Sequence, residues 1–255
     1  MWEAWDEELN RFVALKRFTG PERARVRGFR TELAALGTLR LPGVVELLGH
    51  ADDGGVPLLV MQRVHGSPFP GLEGVVAWSW LAPRLARLLA VLSSVHTYGF
   101  VHADIKPGNV LVGASGLVTL LDFGLARSRE TRAEQPDAMS VHESGPYTAP
   151  ELLEGGAPSA RSDLFAVGAC LYECLIGEPP PPHGQEMWRA PEAAPPSSQK
   201  GDSGVQRAQS VPAALRAVIE RALAPDPNDR WPDARAFLGA VRGAFEAGTS
   251  ESGAV

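Results

Sequence analysis

The sequence has 255 residues, of which 44% are hydrophobic and 21% charged, so neither disorder nor a fibrous repeat describes the whole chain. Its 24 basic and 30 acidic residues give a net charge of −6, which excludes the basic excess typical of proteins that bind nucleic acid or anionic lipid. The longest apolar stretches, 85–95 and 165–176, are too short to cross a bilayer, and we expect no membrane span.

The first 64 residues have the pattern of a small α/β lobe. RFVALKRF has the β-branched and aromatic content of a strand. ERARVRGFRTELAALGTL follows as a predicted helix with Val26, Phe29, Leu33 and Leu36 on one stripe. VVELLGH and PLLVMQRV then predict two strands on either side of an acidic glycine turn at 52–55.

The Gly- and Pro-rich segment HGSPFPG predicts a boundary, so that 1–64 and 65–245 form separate lobes. The second lobe begins with a long helical pattern, LAPRLARLLAVLSSVHTYG, followed by the short strand patterns NVLVG and LVTLLDFG. Two amphipathic helices, PAALRAVIERALA and DARAFLGAVRGAF, close its core. The proline-rich stretch 178–212 predicts a surface loop, and 246–255 a flexible tail.

The two cysteines exclude a disulfide framework. Cys170 and Cys174 lie four residues apart in an apolar segment, which places both on one face of a predicted helix. The first residues, MWEAWDEELN, have no basic start followed by an apolar core. We therefore expect a reducing compartment and a cytoplasmic location.

Seven short motifs occur in order along the chain: VALK at 13–16, Glu32 in the first helix, HADIKPGN at 102–109, DFG at 122–124, TAPE at 148–151, SDLFAVG at 162–168 and DPNDR at 226–230. In this order and approximate spacing, they resemble the motifs of eukaryotic-like, Hanks-type serine/threonine protein kinases, which also occur in bacteria. The resemblance extends from Met1 to about Phe245.

The resemblance implies an α+β fold with two lobes: a small antiparallel sheet with one helix, and a larger, mainly helical lobe. It implies that ATP and Mg²⁺ lie between them and that the γ-phosphate passes to Ser or Thr hydroxyls of protein substrates. Lys106, followed by Pro107, matches the lysine that serine/threonine kinases place against the transferred phosphate. The resemblance also implies an ion pair between Glu151 and Arg230, and an Asp163 that receives backbone donors from the catalytic loop.

Residue by residue, the resemblance assigns Lys16 to the ATP phosphates and Glu32 to the carboxylate that orients it. Asp104 accepts the proton of the substrate hydroxyl, and Asn109 with Asp122 holds magnesium. Taken singly, such residues are typical of surface ion pairs or of turns. Two acidic loops in the family's order favour the catalytic interpretation.

For the adenine, the resemblance implies an apolar sandwich of Ala14 and Leu111, with Met61 at the rear. Backbone groups of Gln62 and Val64 would bind the base edge. A methionine in an apolar strand is usually core filler, so the role of Met61 depends on the resemblance alone.

The chain departs from the family at its start, where Met1 stands in place of the valine that closes the glycine-rich loop. The loop and the strand leading into it are thus missing from the sequence given. A misassigned start or truncation and a genuine loss in a degenerate kinase both explain this. We favour the former, because the polar catalytic positions are intact.

A second departure is Ala103, where most relatives carry an arginine that pairs with a phosphorylated activation segment. Its replacement predicts that activity depends little on phosphorylation of Thr131, Ser140 or Ser144. Ser144 also stands where the family usually has the threonine that helps to position Asp104, and it keeps the hydroxyl.

Two other functions remain open. A pseudokinase would use the fold to bind nucleotide or to act as a scaffold. A small-molecule phosphotransferase of the aminoglycoside kinase type shares the H-x-D-x-x-x-x-N loop, but Lys106, TAPE, SDLFAVG and DPNDR argue against it.

Overall fold

The computed structural model of the chain describes residues 1–71, 75–128, 145–181 and 211–251. Its strands in these ranges are β1 (Trp2–Asp6), β2 (Arg11–Arg17), β3 (Leu47–Asp53), β4 (Val56–Gln62), β5 (Ser67–Pro68), β6 (Phe100–Val101), β7 (Val110–Val112), β8 (Val118–Leu120) and β9 (Arg127–Ser128). Its α-helices there are α1 (Glu22–Thr38), α2 (Trp78–Thr97), α3 (Pro150–Leu153), α4 (Ala160–Ile176), α5 (Ala213–Ala222) and α6 (Ala234–Glu251).

The upper lobe is a four-stranded antiparallel sheet in the order β1-β2-β4-β3, with α1 packed against it. The register places Ala14 opposite Met61 and Lys16 opposite Leu59. Below it lies a mainly helical lobe, which confirms the predicted α+β fold with a small antiparallel sheet and a larger helical part.

Helix α1 buries the predicted stripe only in part. Leu36 is buried and Phe29 and Leu33 pack against the core, while Val26 is partly buried. The most buried side chain of the helix is that of Glu32, which is fully buried. Hydrophobic periodicity does not identify a carboxylate as the most buried side chain of a helix, because an isolated buried charge is unfavourable. The contact between Glu32 and Lys16 contributes to the orientation of this helix.

The lower lobe is built around α2 and α4. Helix α4 begins with a capping box, in which the side chains of Ser159 and Ser162 each accept from the other's backbone N–H, and ends at Gly177 in the left-handed conformation (φ 91°). Almost every side chain between these ends is buried, including Cys170 and Cys174, which are free thiols. Helix α4 is thus the central helix of this lobe.

Short strands connect the helices to the cleft. Strand β5 lies within the predicted boundary segment and pairs with β7 in a three-stranded sheet, β5-β7-β8, which belongs to the lower lobe. Strands β6 and β9 form a separate pair. Pattern reasoning misses these two-residue strands because they are too short to show any alternation.

Near the carboxyl end, α6 runs to Glu251, so the beginning of the segment predicted as a flexible tail is helical. Most of the proline-rich stretch 178–212 lies outside the described residues. None of the helices in the described ranges combines the length and the apolar character that a bilayer crossing requires.

A buried ion pair ties α3 to the loop before α6. Arg230 is fully buried, and its two terminal nitrogens donate to the Glu151 carboxylate at 2.8 and 2.7 Å. The same guanidinium donates to the carbonyl oxygens of Ala224, Arg161 and Pro225. This bidentate arrangement is the one predicted from the TAPE and DPNDR motifs.

We expect Glu151→Gln to lower the free energy of unfolding by about 3 kcal/mol, because it leaves the buried Arg230 cation without its counter-charge. Chemical denaturation measures the difference, and Glu154→Gln, an exposed glutamate just beyond the same helix, is the matched control. Equal stabilities of the two variants would show that the pair contributes little.

Candidate active site

The ammonium group of Lys16 joins the two lobes. Its Nζ lies 2.6 Å from Glu32 Oε2 on α1 and 2.6 Å from Asp122 Oδ1, which follows β8. Burial opposes the charge on Lys16, but the two carboxylates outweigh that effect and hold the pKa of Lys16 above its ordinary value. Lys16 is therefore a fixed positive charge at the base of the cleft.

The two carboxylates respond differently to burial. Burial raises the pKa of Glu32 to about 7, and the attraction of Lys16 offsets only part of this effect. Burial would also raise the pKa of Asp122, but Lys16 and the backbone N–H of Gly124 hold it below its ordinary value. Of the two carboxylates, Asp122 is therefore the one that carries a full negative charge near neutral pH, and it lines the cleft.

The raised pKa of Glu32 predicts a pH dependence of stability. Between its ordinary pKa and about 7, the folded protein binds more protons at Glu32 than the unfolded chain does. The contribution of Glu32 is therefore fully present below the unfolded value and is lost as the pH rises through about 7. Glutamine does not titrate. Between the ordinary pKa of glutamate and about 7, the free energy of unfolding of Glu32→Gln should therefore fall less with rising pH than that of the parent.

Urea denaturation at a series of pH values measures these slopes. Glu46→Gln, an exposed glutamate in the same lobe, should retain the parent slope. Identical slopes in the parent and in Glu32→Gln would contradict the assignment.

A second cluster lies in the loop between β6 and β7. The Asp104 carboxylate receives Lys106 Nζ at 2.8 Å on one oxygen and 3.1 Å on the other. Asn109 Nδ2 donates to Asp104 Oδ2 and to the Asp104 backbone oxygen, each at 2.8 Å. Asp104 and Asn109 are each 8% exposed, and the contacts with Lys106 and Asn109 hold the Asp104 carboxylate in one orientation.

The loop is held from below by Asp163 on α4. Its two oxygens accept the backbone N–H groups of His102 and Ala103, each at 2.9 Å, as predicted. Burial alone would raise the pKa of Asp163, but His96 and these backbone donors hold it low. Ala103 adopts a left-handed φ of 65°, which allows both N–H groups to point at one carboxylate.

His102 and Phe123 pack together under the cleft, with ring centroids 4.6 Å apart and no exposure. His102 Nε2 contacts the Leu121 carbonyl at 2.8 Å. The catalytic-loop segment and the DFG segment are therefore joined through a buried contact, and the two predicted acidic loops face the same volume.

The side-chain oxygens of Asn109 and Asp122 suit a hard divalent cation. Asn109 uses Nδ2 for both of its side-chain hydrogen bonds, so its Oδ1 accepts none within the described residues. The contacts of Asp122 with Lys16 and Gly124 both involve its Oδ1. The Leu121 N–H donates to the Asn109 carbonyl at 2.9 Å. This hydrogen bond holds Asn109 beside the residue that precedes Asp122.

Across the described ranges, no group of three or more His, Cys, Asp or Glu side chains forms a metal cage. This is compatible with magnesium, which typically takes one or two carboxylates and completes its shell with water and phosphate oxygens.

A cleft of about 280 Å³ opens between the lobes beside these groups. It is lined by every residue that the resemblance assigns to the adenine, together with the metal-side aspartate: Ala14, Met61, Gln62, Val64, Leu111 and Asp122. Ala14 and Met61 come from paired positions of β2 and β4. The register of the upper sheet therefore accounts for the position of these two residues beside the same cavity.

The sequence analysis did not predict every residue that lines this cleft. The cleft is also lined by the buried Val45 and by residues 1–3. Residues 1–3 are held there by an ion pair of 2.7 Å between Glu3 and Arg63. Nothing in the motifs indicates this pair, because its partners come from β1 and from the chain just after β4.

The activation-segment positions 131, 140 and 144, to which the sequence assigns possible regulatory and positioning hydroxyls, lie outside the described residues. Apart from the residues assigned to the adenine, the predicted site residues fall into two clusters: Lys16 and Glu32 with Asp122, which lines the cleft, and Asp104 with Lys106 and Asn109.

Comparison with known proteins supports the same interpretation. The family model "Protein kinase domain" matches residues 2–238. The chain is 32% identical over 221 residues to a probable serine/threonine-protein kinase of Corynebacterium efficiens, covering 80% of this chain and 32% of that protein.

Other curated relatives are also bacterial. The chain is 39% identical over 193 residues to the DNA damage-responsive serine/threonine-protein kinase RqkA of Deinococcus radiodurans, covering 71% of this chain and 28% of that protein. It is 31% identical over 248 residues to the serine/threonine-protein kinase PknL of Mycobacterium tuberculosis, covering 93% of this chain and 60% of that protein. The chain thus spans between 28% and 60% of the length of these relatives.

The matched region contains both clusters and the cleft. With a family model that covers nearly the whole sequence and bacterial relatives that are more than 30% identical to it, the chain belongs to the protein kinase domain family.

Proposed function

We propose that the chain is an ATP-dependent protein serine/threonine kinase, which transfers the γ-phosphate of ATP to serine or threonine hydroxyls of proteins. The observation that carries the proposal is that Lys16 contacts Asp122 at 2.6 Å beside the cleft, while a second, buried cluster around Asp104 is tied to the same region by the hydrogen bond from the Leu121 N–H to the Asn109 carbonyl. Phosphoryl transfer requires charge neutralisation and positioning, and these clusters supply both.

In this mechanism Lys16 neutralises phosphate oxygens, and Glu32 fixes its direction through the 2.6 Å contact. Ala14 and Leu111 enclose the adenine, and the chain at Gln62 and Val64 presents backbone groups to the base edge. Met61 closes the rear. The lining is apolar where the base would lie and charged where the phosphates would lie, as nucleotide sites require.

Asp104 orients the attacking hydroxyl and accepts its proton, while the hydrogen bond from Asn109 keeps its carboxylate in place. Lys106, already bonded to Asp104, places a positive charge beside the transferred group. Asn109 Oδ1 and Asp122 would hold magnesium. When bound, that ion supplies neutralisation of charge on the phosphate oxygens.

The rest of the proposal concerns location and organisation. We propose the division into an upper lobe of 1–64 and a lower lobe of 65–245, because β5 at 67–68 already pairs in the lower sheet. The two buried free thiols, Cys170 and Cys174, suit a reducing compartment, and we place the catalytic domain in the cytoplasm.

The test is phosphoamino-acid analysis after incubation of the chain with γ-labelled ATP, magnesium and a mixture of acceptor proteins. A parallel reaction offers an aminoglycoside as the acceptor and is analysed for labelled small molecules, and ATP binding is measured separately. The expected result is label on serine and threonine, lost when magnesium is chelated. Magnesium-dependent ATP binding without transfer would support a pseudokinase instead, and label confined to small molecules such as aminoglycosides would support the other phosphotransferase class.

A further inference from the structure

A pair of arginines on the lower lobe lies apart from the cleft and has no acidic partner. Arg84 and Arg87 are one turn apart on α2 and face the turn between β7 and β8. Within the described residues, neither makes an ion pair. Two neighbouring cations without a carboxylate give this part of the surface a positive charge, although the whole chain has a net charge of −6.

Both guanidinium groups are held in place by the protein. Arg84 stacks on the Trp80 ring, with its Cζ 3.4 Å from the ring centroid, and its Nη1 donates to the Trp80 carbonyl at 2.7 Å. Arg87 Nη1 donates to the Ser115 carbonyl at 3.2 Å. These bonds fix the position of each cation and leave further N–H donors available on both groups.

The two groups converge on one point beside Gly116. A Cβ atom added to Gly116, which has a φ of 74°, would lie 2.7 Å from Arg87 Nη1 and 3.5 Å from Arg84 Nη2. Because Gly116 has no side chain, both guanidinium groups pack over this turn, and the two nitrogens lie close enough together for the oxygens of one phosphate to reach both. Partial burial and the neighbouring Arg87 lower the pKa of Arg84, in keeping with two positive charges that no anion compensates.

We propose that Arg84 and Arg87 form a docking site for a phosphoserine or phosphothreonine in a protein segment that binds outside the cleft. A phosphate carries nearly two negative charges and three acceptor oxygens, which match two guanidinium groups that converge on one point better than a single carboxylate does. Leu117, 63% exposed in the same turn, and Trp80, 37% exposed, offer apolar contacts to residues beside the phosphate.

The site goes beyond the proposed function, because it needs neither ATP nor transfer. It would retain phosphorylated proteins on the lower lobe, a surface that none of the motifs used for catalysis includes. Its test is therefore a binding measurement without nucleotide, so that its failure leaves the proposed kinase activity untouched.

The test uses fluorescence anisotropy of a short labelled peptide that carries one phosphoserine flanked by leucines, with serine and glutamate versions as ligand controls. We expect the phosphopeptide to bind the full chain most tightly, and the affinity to fall with rising salt. Arg84→Gln/Arg87→Gln should weaken its binding roughly tenfold or more, since hydrogen bonds between charged groups are lost. Arg84→Lys should lose part of that affinity, because lysine keeps the charge without the planar fork.

The matched control is Arg23→Gln/Arg30→Gln, which removes the same charge from exposed positions of α1 and should bind as the parent does. Thermal unfolding of each variant confirms that it is folded. Equal affinity of the parent for the serine and phosphoserine peptides, or unchanged binding by the folded Arg84→Gln/Arg87→Gln variant, would overturn the proposal.

Discussion

Asp104→Asn is expected to lower the rate of phosphate transfer by about a hundredfold to ten-thousandfold, the range that a positioned proton acceptor contributes. The substitution keeps the shape of the side chain but removes the negative charge that receives the hydroxyl proton. Steady-state transfer of label from γ-labelled ATP to an acceptor protein measures the effect, with the nucleotide affinity determined separately.

The fold should survive this change, because Asn109 also donates to the Asp104 backbone oxygen and Asp163 still holds the loop. Asp229→Asn, the same substitution at an exposed position, is the control and should retain the parent rate. A parent-like rate in Asp104→Asn would remove this residue from the mechanism.

Asp122→Asn is expected to reduce transfer by at least about a hundredfold, since the metal that Asp122 would hold contributes several kcal/mol to stabilising the transition state. The substitution also removes one of the two carboxylates bonded to Lys16. The informative measurement is the magnesium dependence of ATP affinity, obtained by calorimetry with and without the metal.

In the parent, magnesium should strengthen ATP binding, and in Asp122→Asn this effect should largely disappear. Asp229→Asn again serves as the control. If magnesium strengthened binding equally in the parent and in Asp122→Asn, the cation would lie elsewhere.

The sequence predicted which polar groups would lie together, because short motifs specify local geometry. In HADIKPGN, an aspartate and an asparagine five residues apart lie on one tight loop, and the structure joins them by a 2.8 Å hydrogen bond. The pair of Glu151 and Arg230 was likewise predicted, although 79 residues separate the two partners.

What escaped prediction depends on tertiary packing. Phe29 and Leu33 of the predicted apolar stripe do pack against the core. The stripe gave no sign, however, that Glu32 is the fully buried residue of α1, because its burial depends on the contact with Lys16. Similarly, the left-handed Ala103 has no local signal, since its conformation is imposed by the carboxylate of Asp163. The Glu3–Arg63 pair depends on where two strands end in the folded sheet.

The most direct test of the account is a crystal structure of the chain with a non-hydrolysable ATP analogue and Mn²⁺, which scatters anomalously and can replace Mg²⁺. The account predicts an anomalous peak about 2.2 Å from Asn109 Oδ1 and from the Asp122 carboxylate, with the analogue's phosphates reaching Lys16. A nucleotide bound outside the cleft, or a metal that contacts neither Asn109 nor Asp122, would contradict it.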